Sequence, residues 1–419
     1  MGKFFYILFI RLYPVAAQLA ALFNKKAALW VKGRKNIFNH IAATLKGNNK
    51  PTIWVHCASL GEFEQGRPVI EAIKQQYPAY TIVLTFFSPS GYEAEKNYHQ
   101  ADYIFYLPID SKANAKRFLD LVKPSLVIFI KYEFWFYYLQ AVKQRNTPLL
   151  LVSGIFRSSQ PFFKSYGAFH RQMLGFFTHL FVQHSSSVQL LNTIGINNQV
   201  SVAGDTRFDR VLSIAQHYFQ FPIIDEFCKN KTVIVAGSTW LEDEEELCHY
   251  ANAHQDYRFI IAPHNIESIR LKECTALFKN AVLYSAIVKS DAIPNNINTI
   301  IIDNIGMLKM LYSTATLCYI GGGFGGDGVH NVLEAAVYYK PVIFGPVYDK
   351  FIEARALIEK GGAFTVIDAI ELEQTFNELL QDKNAYTAAA NSAGNFVKEQ
   401  AGATNRVIQF IQEKRLLTN

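Results

Sequence analysis

Two strand-to-helix turns concentrate the residues of this chain that could do chemistry. The first runs from Ile320 to Glu334 and holds Gly321, Gly322, Gly323, Phe324, Gly325 and Gly326, then His330, Asn331 and Glu334. An apolar run, Thr316 to Ile320, precedes it, and an amphipathic stretch, Val329 to Tyr339, follows. A glycine-rich turn in that setting lets backbone approach a phosphate, with N–H groups and the positive end of a helix facing the anion. His330, Asn331 and Glu334 are expected in the first turns of that helix, with Asn331 and Glu334 on one face. A carboxylate there can accept hydrogen bonds from a ribose diol, while His330 and the backbone hold phosphate. The competing reading is a turn whose glycines only allow a helix to pack closely on a strand. Gly321, Gly323 and Gly326 formally match a dinucleotide fingerprint, but the next strand ends in Gly345-Pro346 and not in the acidic residue that fingerprint needs.

The second turn runs from Val55 to Phe63. Glu62 sits at its mouth, where a carboxylate can act as a general base. Ser59 and Glu62 also have capping-box spacing, in which Glu62 only satisfies a helix N-terminus. The local sequence leaves these two readings level. Glu133 lies between aromatics just past the apolar run Leu126–Ile130, where it either caps a helix or orients a substrate. Gly237 and Ser238 follow the run Thr232–Ala236, and Pro263 and His264 follow Arg258–Ala262. With the glycine-rich turn they would form a mononucleotide pocket at one sheet edge. The run Glu242 to Glu246 reads as a solvated helix N-terminus, because contiguous helical carboxylates splay around the axis. No D-x-D occurs, and no catalytic metal and no cofactor is expected. Backbone N–H groups and side chains would then stabilise a leaving phosphate.

Such turns need parallel sheets to hold them. Thr52–Cys57, Thr81–Phe86, Leu126–Ile130, Pro148–Val152 and Leu180–Val182 read as strands buried on both faces. Thr232–Ala236, Arg258–Ala262, Thr299–Ile302, Leu317–Ile320 and Val342–Phe344 read as a second set. Helical stretches such as Glu62–Gln76, Lys112–Val122, Ile266–Lys279 and Ile352–Lys360 alternate with them, and a last long helix spans about Asn384 to Arg415. The economical answer is an α/β protein of two doubly wound, Rossmann-like domains. The expected division is residues 1–24 as an apolar segment, 25–215 as the first domain and 216–419 as the second, with the final helix free to pack back on the first.

The chain has 419 residues, half of them apolar and 18% charged, enough for two full cores. A net charge of +6 without a basic cluster suits an anionic substrate or membrane surface and argues against a nucleic-acid partner. The five cysteines are scattered with no C-x-x-C, as in a reduced cytoplasmic protein. Phe4 to Phe23 is almost wholly apolar, broken by Arg11, Pro14 and Gln18, and Lys25, Lys26, Lys32, Arg34 and Lys35 follow. It reads as an uncleaved anchor or an interfacial helix whose basic flank meets anionic lipid and keeps the body cytoplasmic. A soluble helix packed on the protein itself is the alternative. Because the first strand begins near Thr52, the segment is expected to be removable without unfolding the rest.

The chain as a whole resembles the 3-deoxy-D-manno-octulosonic acid (Kdo) transferases of lipid A biosynthesis. The likeness is carried by His56-Cys-Ala-Ser-Leu-Gly-Glu62, Thr85-Phe-Phe-Ser-Pro89, Tyr106-Leu-Pro-Ile-Asp110, Glu133-Phe-Trp135 and Gly204-Asp-Thr-Arg-Phe-Asp209. It continues through Ala236-Gly-Ser238, Gly321-Gly-Gly-Phe324 and His330-Asn-Val-Leu-Glu334. The resemblance implies a metal-independent GT-B fold, two Rossmann-like domains facing across a cleft with an N-terminal membrane-anchoring helix. It implies inverting transfer of Kdo from CMP-Kdo to a lipid A precursor at the cytoplasmic face of the inner membrane. It places the base at Glu62, a second carboxylate at Glu133, and the acceptor near Ser59 and Gly61. It places CMP at Gly237, Ser238, the Pro263 turn and the Gly321–Glu334 segment. His264 stands where the family usually has arginine, which removes a permanent fork donor. Val329, Ala335 and Lys131 also depart from the usual pattern. Another nucleotide-sugar enzyme of the same fold, a transferase or epimerase, and an inactive scaffold are the competing readings.

Overall fold

The computed structural model describes residues 2–217 and 219–418. It divides into two compact units, Met1–Arg210 with Ala401–Asn419, and Val211–Gln400. The first unit carries strands β1 (Thr52–Cys57), β2 (Thr81–Phe86), β3 (Tyr103–Tyr106), β4 (Pro124–Ile130), β5 (Leu149–Gly154), β6 (His179–Val182) and β7 (Val200–Val202). They form one parallel sheet in the order β3-β2-β1-β4-β5-β6-β7. The second unit carries β8 (Val233–Thr239), β9 (Arg258–Pro263), β10 (Ala281–Leu283), β11 (Thr299–Ile301), β12 (Leu317–Ile320), β13 (Val342–Phe344) and β14 (Ala363–Thr365). These form a second parallel sheet, β10-β11-β9-β8-β12-β13-β14. The apolar runs of the sequence are the inner strands, because helices cover both faces and every position is buried.

Each sheet reverses its winding once. In the first the reversal lies between β1 and β4, in the second between β8 and β12. The loops leaving those two strands diverge to opposite faces and open a crevice at the carboxyl edge, the usual ligand position in such sheets. The turn after β1 holds Glu62, and the loop after β4 holds Glu133. Ser238 lies at the end of β8, one residue before its last, and the glycine-rich turn follows β12.

The long terminal helix expected from Asn384 to Arg415 is two helices, Lys383–Gln400 and Ala403–Glu413. Gly402 sits between them at φ +103°, a left-handed conformation that glycine tolerates. Asp209 caps the second helix by accepting from Gly402 N at 2.5 Å and Thr404 N at 2.7 Å. Val407, Ile408 and Ile411 then bury with Ile53 and Val55 in the first unit's core.

The N-terminal apolar segment is a helix, Gly2–Ala20, long and apolar enough to cross a membrane. One face of it packs on the body, as the alternative reading of the segment had it. Ile10 is buried, and Tyr6 and Tyr13, on the same face, are half-buried against the first unit. Tyr13 meets Trp30 and Phe87 at ring distances of 5.1 and 5.8 Å. The other face exposes Phe5, Leu8, Leu12, Val15 and Leu19.

Candidate active site

In the first unit the helix Leu60–Gln76 starts immediately after the Ser59 turn. Ser59 is the N-cap residue, yet its hydroxyl accepts nothing from the helix backbone. It donates to Glu62 Oε2 instead. The capping box that the spacing allowed is therefore not formed, and the half-buried Glu62 carboxylate is oriented by a side chain at the end of β1. Glu133 caps no helix either, since the following helix, Phe136–Gln144, starts beyond it at Trp135. Lys131, at φ +67°, turns the chain sharply out of β4 before it reaches Glu133. A non-glycine residue so held is strained, and such strain gathers at working sites.

His56, wholly buried at the end of β1, was missed as a site residue. Its Nδ1 lies 2.9 Å from Thr85 Oγ1. Its Nε2 accepts from Trp135 Nε1 at 3.2 Å and lies 3.6 Å from Glu133 Oε2. That carboxylate oxygen is buried and has no hydrogen-bond partner. A buried carboxylate oxygen without a donor is costly, so this side of Glu133 is held against the His56 ring without a hydrogen bond to balance it. Burial pushes the Cys57 thiol up, and the Glu62 and Glu133 carboxylates add to the shift. Both charges therefore act on one point at the end of β1. Burial also raises the Tyr132 phenol, opposed by the nearby charge of Arg157 on the loop after β5. Three neighbouring strands thus send two carboxylates, a phenol and a guanidinium to one edge.

The second unit builds its edge from backbone. A bulge at the end of β8 shifts the register between Gly237 and Thr239, so that Thr239 pairs with Pro263 and Ser238 is pushed out at φ +56°. Gly321, Gly322 and Gly323 are there for packing. A Cβ on Gly321 would lie 2.4 Å from Ser238 O, and one on Gly323 2.5 Å from Gly345 N. Gly322 has φ +91°. Gly326 differs, since a Cβ there meets nothing within 4 Å. The first three glycines are thus closed by neighbouring turn backbone and not by a helix packed on a strand, and the open approach to backbone belongs to Gly326.

Two expectations fail in this region. The helix expected over Val329–Tyr339 is a single turn, Leu333–Ala336. Asn331 Oδ1 accepts from Leu333 N at 3.2 Å, and Tyr339, at φ +57°, ends the segment. His330 and Asn331 therefore precede the helix, and one turn has no macrodipole to offer an anion. Several turn N–H groups are also engaged internally: Gly322 N with Asp243, Gly325 N with Gly322 O, and His330 N with Gly321 O. Second, the acidic run is a helix N-terminus as expected but is solvated only in part. Asp243 and Glu244 are wholly buried. Asp243 Oδ2 accepts from Gly322 N and Trp240 N, both at 2.8 Å, and Oδ1 accepts from Tyr319 Oη at 2.8 Å. Burial raises its pKa, and these bonds oppose the shift. Glu244 accepts from Thr239 Oγ1 at 2.7 Å and pairs with Arg270. Helical splay sends Glu242 and Glu245 to solvent and these two inward, where they fasten the glycine-rich turn to β8.

Asn331 Nδ2 donates to Glu334 Oε1 at 3.1 Å, so these two residues do meet. His330 Nε2 accepts from Trp240 Nε1 at 3.1 Å. The exposed His264 ring stacks between Trp240 at 4.7 Å and His330 at 4.5 Å. Burial, then the neighbouring His264, lowers His330 to about 4. At neutral pH His330 is uncharged and has one ring N–H to offer a phosphate. Trp240 carried no sequence signal, because only the bulge at Ser238 turns it toward His330.

Two parallel, doubly wound units, one with carboxylates at its sheet edge and the other with a glycine-rich turn there, are the architecture of the GT-B class, which recurs in a solved glycosyltransferase of Rickettsia africae. Residues 33–210 match the model of the family described as 3-deoxy-D-manno-octulosonic-acid transferase (kdotransferase), and curated transferases of that description match most of the chain. It is 29% identical to the 3-deoxy-D-manno-octulosonic acid transferase of Rickettsia bellii, over 91% of this chain and 88% of that protein. It is 27% identical to a bifunctional glycosyltransferase/methyltransferase of Fusobacterium nucleatum, over 80% of this chain but about half, 53%, of that longer protein. Among solved structures it is similar to the UDP-GlcNAc 2-epimerase of Neisseria meningitidis, with a TM-score of 0.61 and 17% identity over 86% of this chain and all of that one. At that identity the likeness is one of fold.

Proposed function

We propose that this protein transfers Kdo from CMP-Kdo to a hydroxyl of a lipid A precursor, with inversion at the anomeric carbon. Glu62 accepts the proton of the acceptor hydroxyl as its oxygen bonds to the anomeric carbon. The bond from that carbon to the phosphate oxygen breaks, and its electron pair leaves with CMP. Glu133, with an unpartnered oxygen beside His56, orients the acceptor, which also passes Ser59 and Gly61. The second unit holds the donor: Glu334 and Asn331 at the ribose, His330, Ser238 and the open backbone at Gly326 at the phosphate, and the Pro263–His264 turn beside them. Backbone and imidazole N–H groups stabilise the leaving phosphate without a metal. The exposed apolar face of Gly2–Ala20 lies on anionic lipid at the cytoplasmic side of the inner membrane, with the following lysines on the headgroups.

The observation that carries this reading is the pair Glu62 and Glu133 at the winding reversal of the first sheet, each freed from helix capping. Mass spectrometry of a lipid A precursor incubated with CMP-Kdo and the protein tests it directly. A mass increase of one or more Kdo units is expected and should persist in excess EDTA. Preference for UDP over CMP in difference spectroscopy, with no Kdo added, would return the chain to the other nucleotide-sugar enzymes of this fold.

A further inference from the structure

The N-terminal helix and the Glu133 segment share bonds that a lipid anchor does not require. A helix leaves its first N–H groups without internal partners. The helix Phe136–Gln144 receives no cap from the side chain of its own N-cap residue, Trp135. Its cap comes from two distant residues. Phe136 N donates to Tyr6 Oη at 3.0 Å, and Tyr137 N and Tyr138 N donate to Asp110 Oδ2 and Oδ1, each at 2.9 Å. Tyr6 Oη in turn donates to Asp110 Oδ2 at 2.5 Å. Asp110 is 1% exposed, so water has no ready access to this cluster.

Trp135 immediately precedes the capped Phe136, and Glu133 lies three residues upstream of it. Trp135 holds His56 through its indole N–H, and Glu133 Oε2 lies 3.6 Å from the same ring nitrogen. The Trp135 ring lies on Phe87 at 4.6 Å, and Phe87 meets Tyr13 of the N-terminal helix. That helix therefore reaches the Glu133 segment twice, by a polar bond at Tyr6 and by rings at Tyr13. The Glu133 carboxylate has no hydrogen bond of its own at Oε2, so its position depends on the backbone that carries it.

We propose that Tyr6, acting with Asp110, is a positioning residue for Glu133 and Trp135, which makes the N-terminal helix part of the acceptor-side site as well as a lipid-facing element. This rests on the Kdo-transfer reading of Glu133. Tyr6→Phe in the full-length protein removes one hydroxyl and keeps the ring. The expected result is a fall in kcat of roughly tenfold on detergent-dispersed acceptor, the scale of one lost hydrogen bond to a charged group. The KM for CMP-Kdo and the partition onto phosphatidylglycerol vesicles should stay as in the unaltered protein. Asp110→Asn should change kcat in the same direction. In fluorine NMR of the fluorotryptophan-labelled protein, the Trp135 resonance, assigned through Trp135→Phe, should move in Tyr6→Phe while that of Trp240 stays. An unchanged kcat, or a fall that follows lost vesicle binding, would overturn the proposal. An unmoved Trp135 resonance would overturn it whatever the activity. If the unaltered protein adds no Kdo at all, the functional reading fails, and the Trp135 resonance still decides whether Tyr6 positions the segment.

Discussion

The two units place their candidate residues at the same topological point and furnish that point by opposite means. In the first, side chains do the work and other side chains aim them: Ser59 holds Glu62, and His56 and Trp135 stand beside Glu133. In the second, the working surface is backbone, and what aims it is a pair of buried carboxylates and a set of glycines without room for a Cβ. Moving a proton needs a titratable group at the crevice. Holding a nucleotide needs main chain that comes close, which only glycine and a firm foundation allow. On the proposed reading one fold serves both needs, because its rigid strands end where its loops diverge.

The comparison breaks most readily at Glu62. Glu62→Gln is expected to cut turnover by roughly 10²–10⁴-fold, the usual cost of a lost general base, with CMP affinity by calorimetry unchanged. A parallel loss of CMP affinity would show that the two edges are not separate in role. Asp243→Asn tests the opposite unit. It replaces the carboxylate by a neutral amide, whose oxygen can still accept from Gly322 N and Trp240 N while its N–H requires Tyr319 Oη to turn from donor to acceptor, at a stability cost of about 1–3 kcal/mol in thermal unfolding. CMP binding should weaken with it, and a variant as stable as the parent would remove Asp243 as the foundation of the turn.

The glycines sharpen the contrast at smaller scale. Gly321→Ala drives a methyl group against the Ser238 carbonyl and should cost about 1–3 kcal/mol. Gly326→Ala should leave the melting temperature alone and weaken CMP, because only a ligand would meet that methyl group. Equal melting temperatures for both would mean the turn yields easily.

The smallest effect is the titration of His330. Its folded pKa, about 4, lies below the ordinary value. The contribution of such a group to stability is whole above about 6.5 and erodes as pH falls toward 4, because the unfolded chain takes the proton first. His179, also lowered to about 4 by burial, adds a loss of the same sign in the first unit. Global unfolding therefore cannot separate them, and NMR titration of the His330 ring can. CMP should raise that pKa, since a phosphate favours the imidazolium, and an unmoved titration would place the phosphate elsewhere.

The inner strands were legible because they are unbroken apolar runs, a pattern that burial on both faces demands. The edge strands β3, β7, β10 and β14 were not, since they are short and partly exposed and leave no such run. The break at Gly402 hid inside a helical pattern for a similar reason. A single glycine is compatible with a helix, and only the bonds from Asp209 to Gly402 N and Thr404 N make it a junction.

By itself the sequence determined the two-sheet class, the identity of the carboxylates and the glycine-rich turn, because strand burial, charge and glycine content are local properties written residue by residue. Tertiary structure decided what those residues do. Ser59 and Glu62 have the spacing of a cap, and the structure joins them as side chains instead. The run Glu242 to Glu246 has the composition of a solvated helix end, but packing against Tyr319 and Gly322 draws Asp243 inside. Tyr6 reads as one more residue of an apolar segment until its hydroxyl meets Asp110, 104 positions away. A hydrogen bond across that span leaves no periodicity behind, since its partners are brought together by the sheet and not by the chain between them.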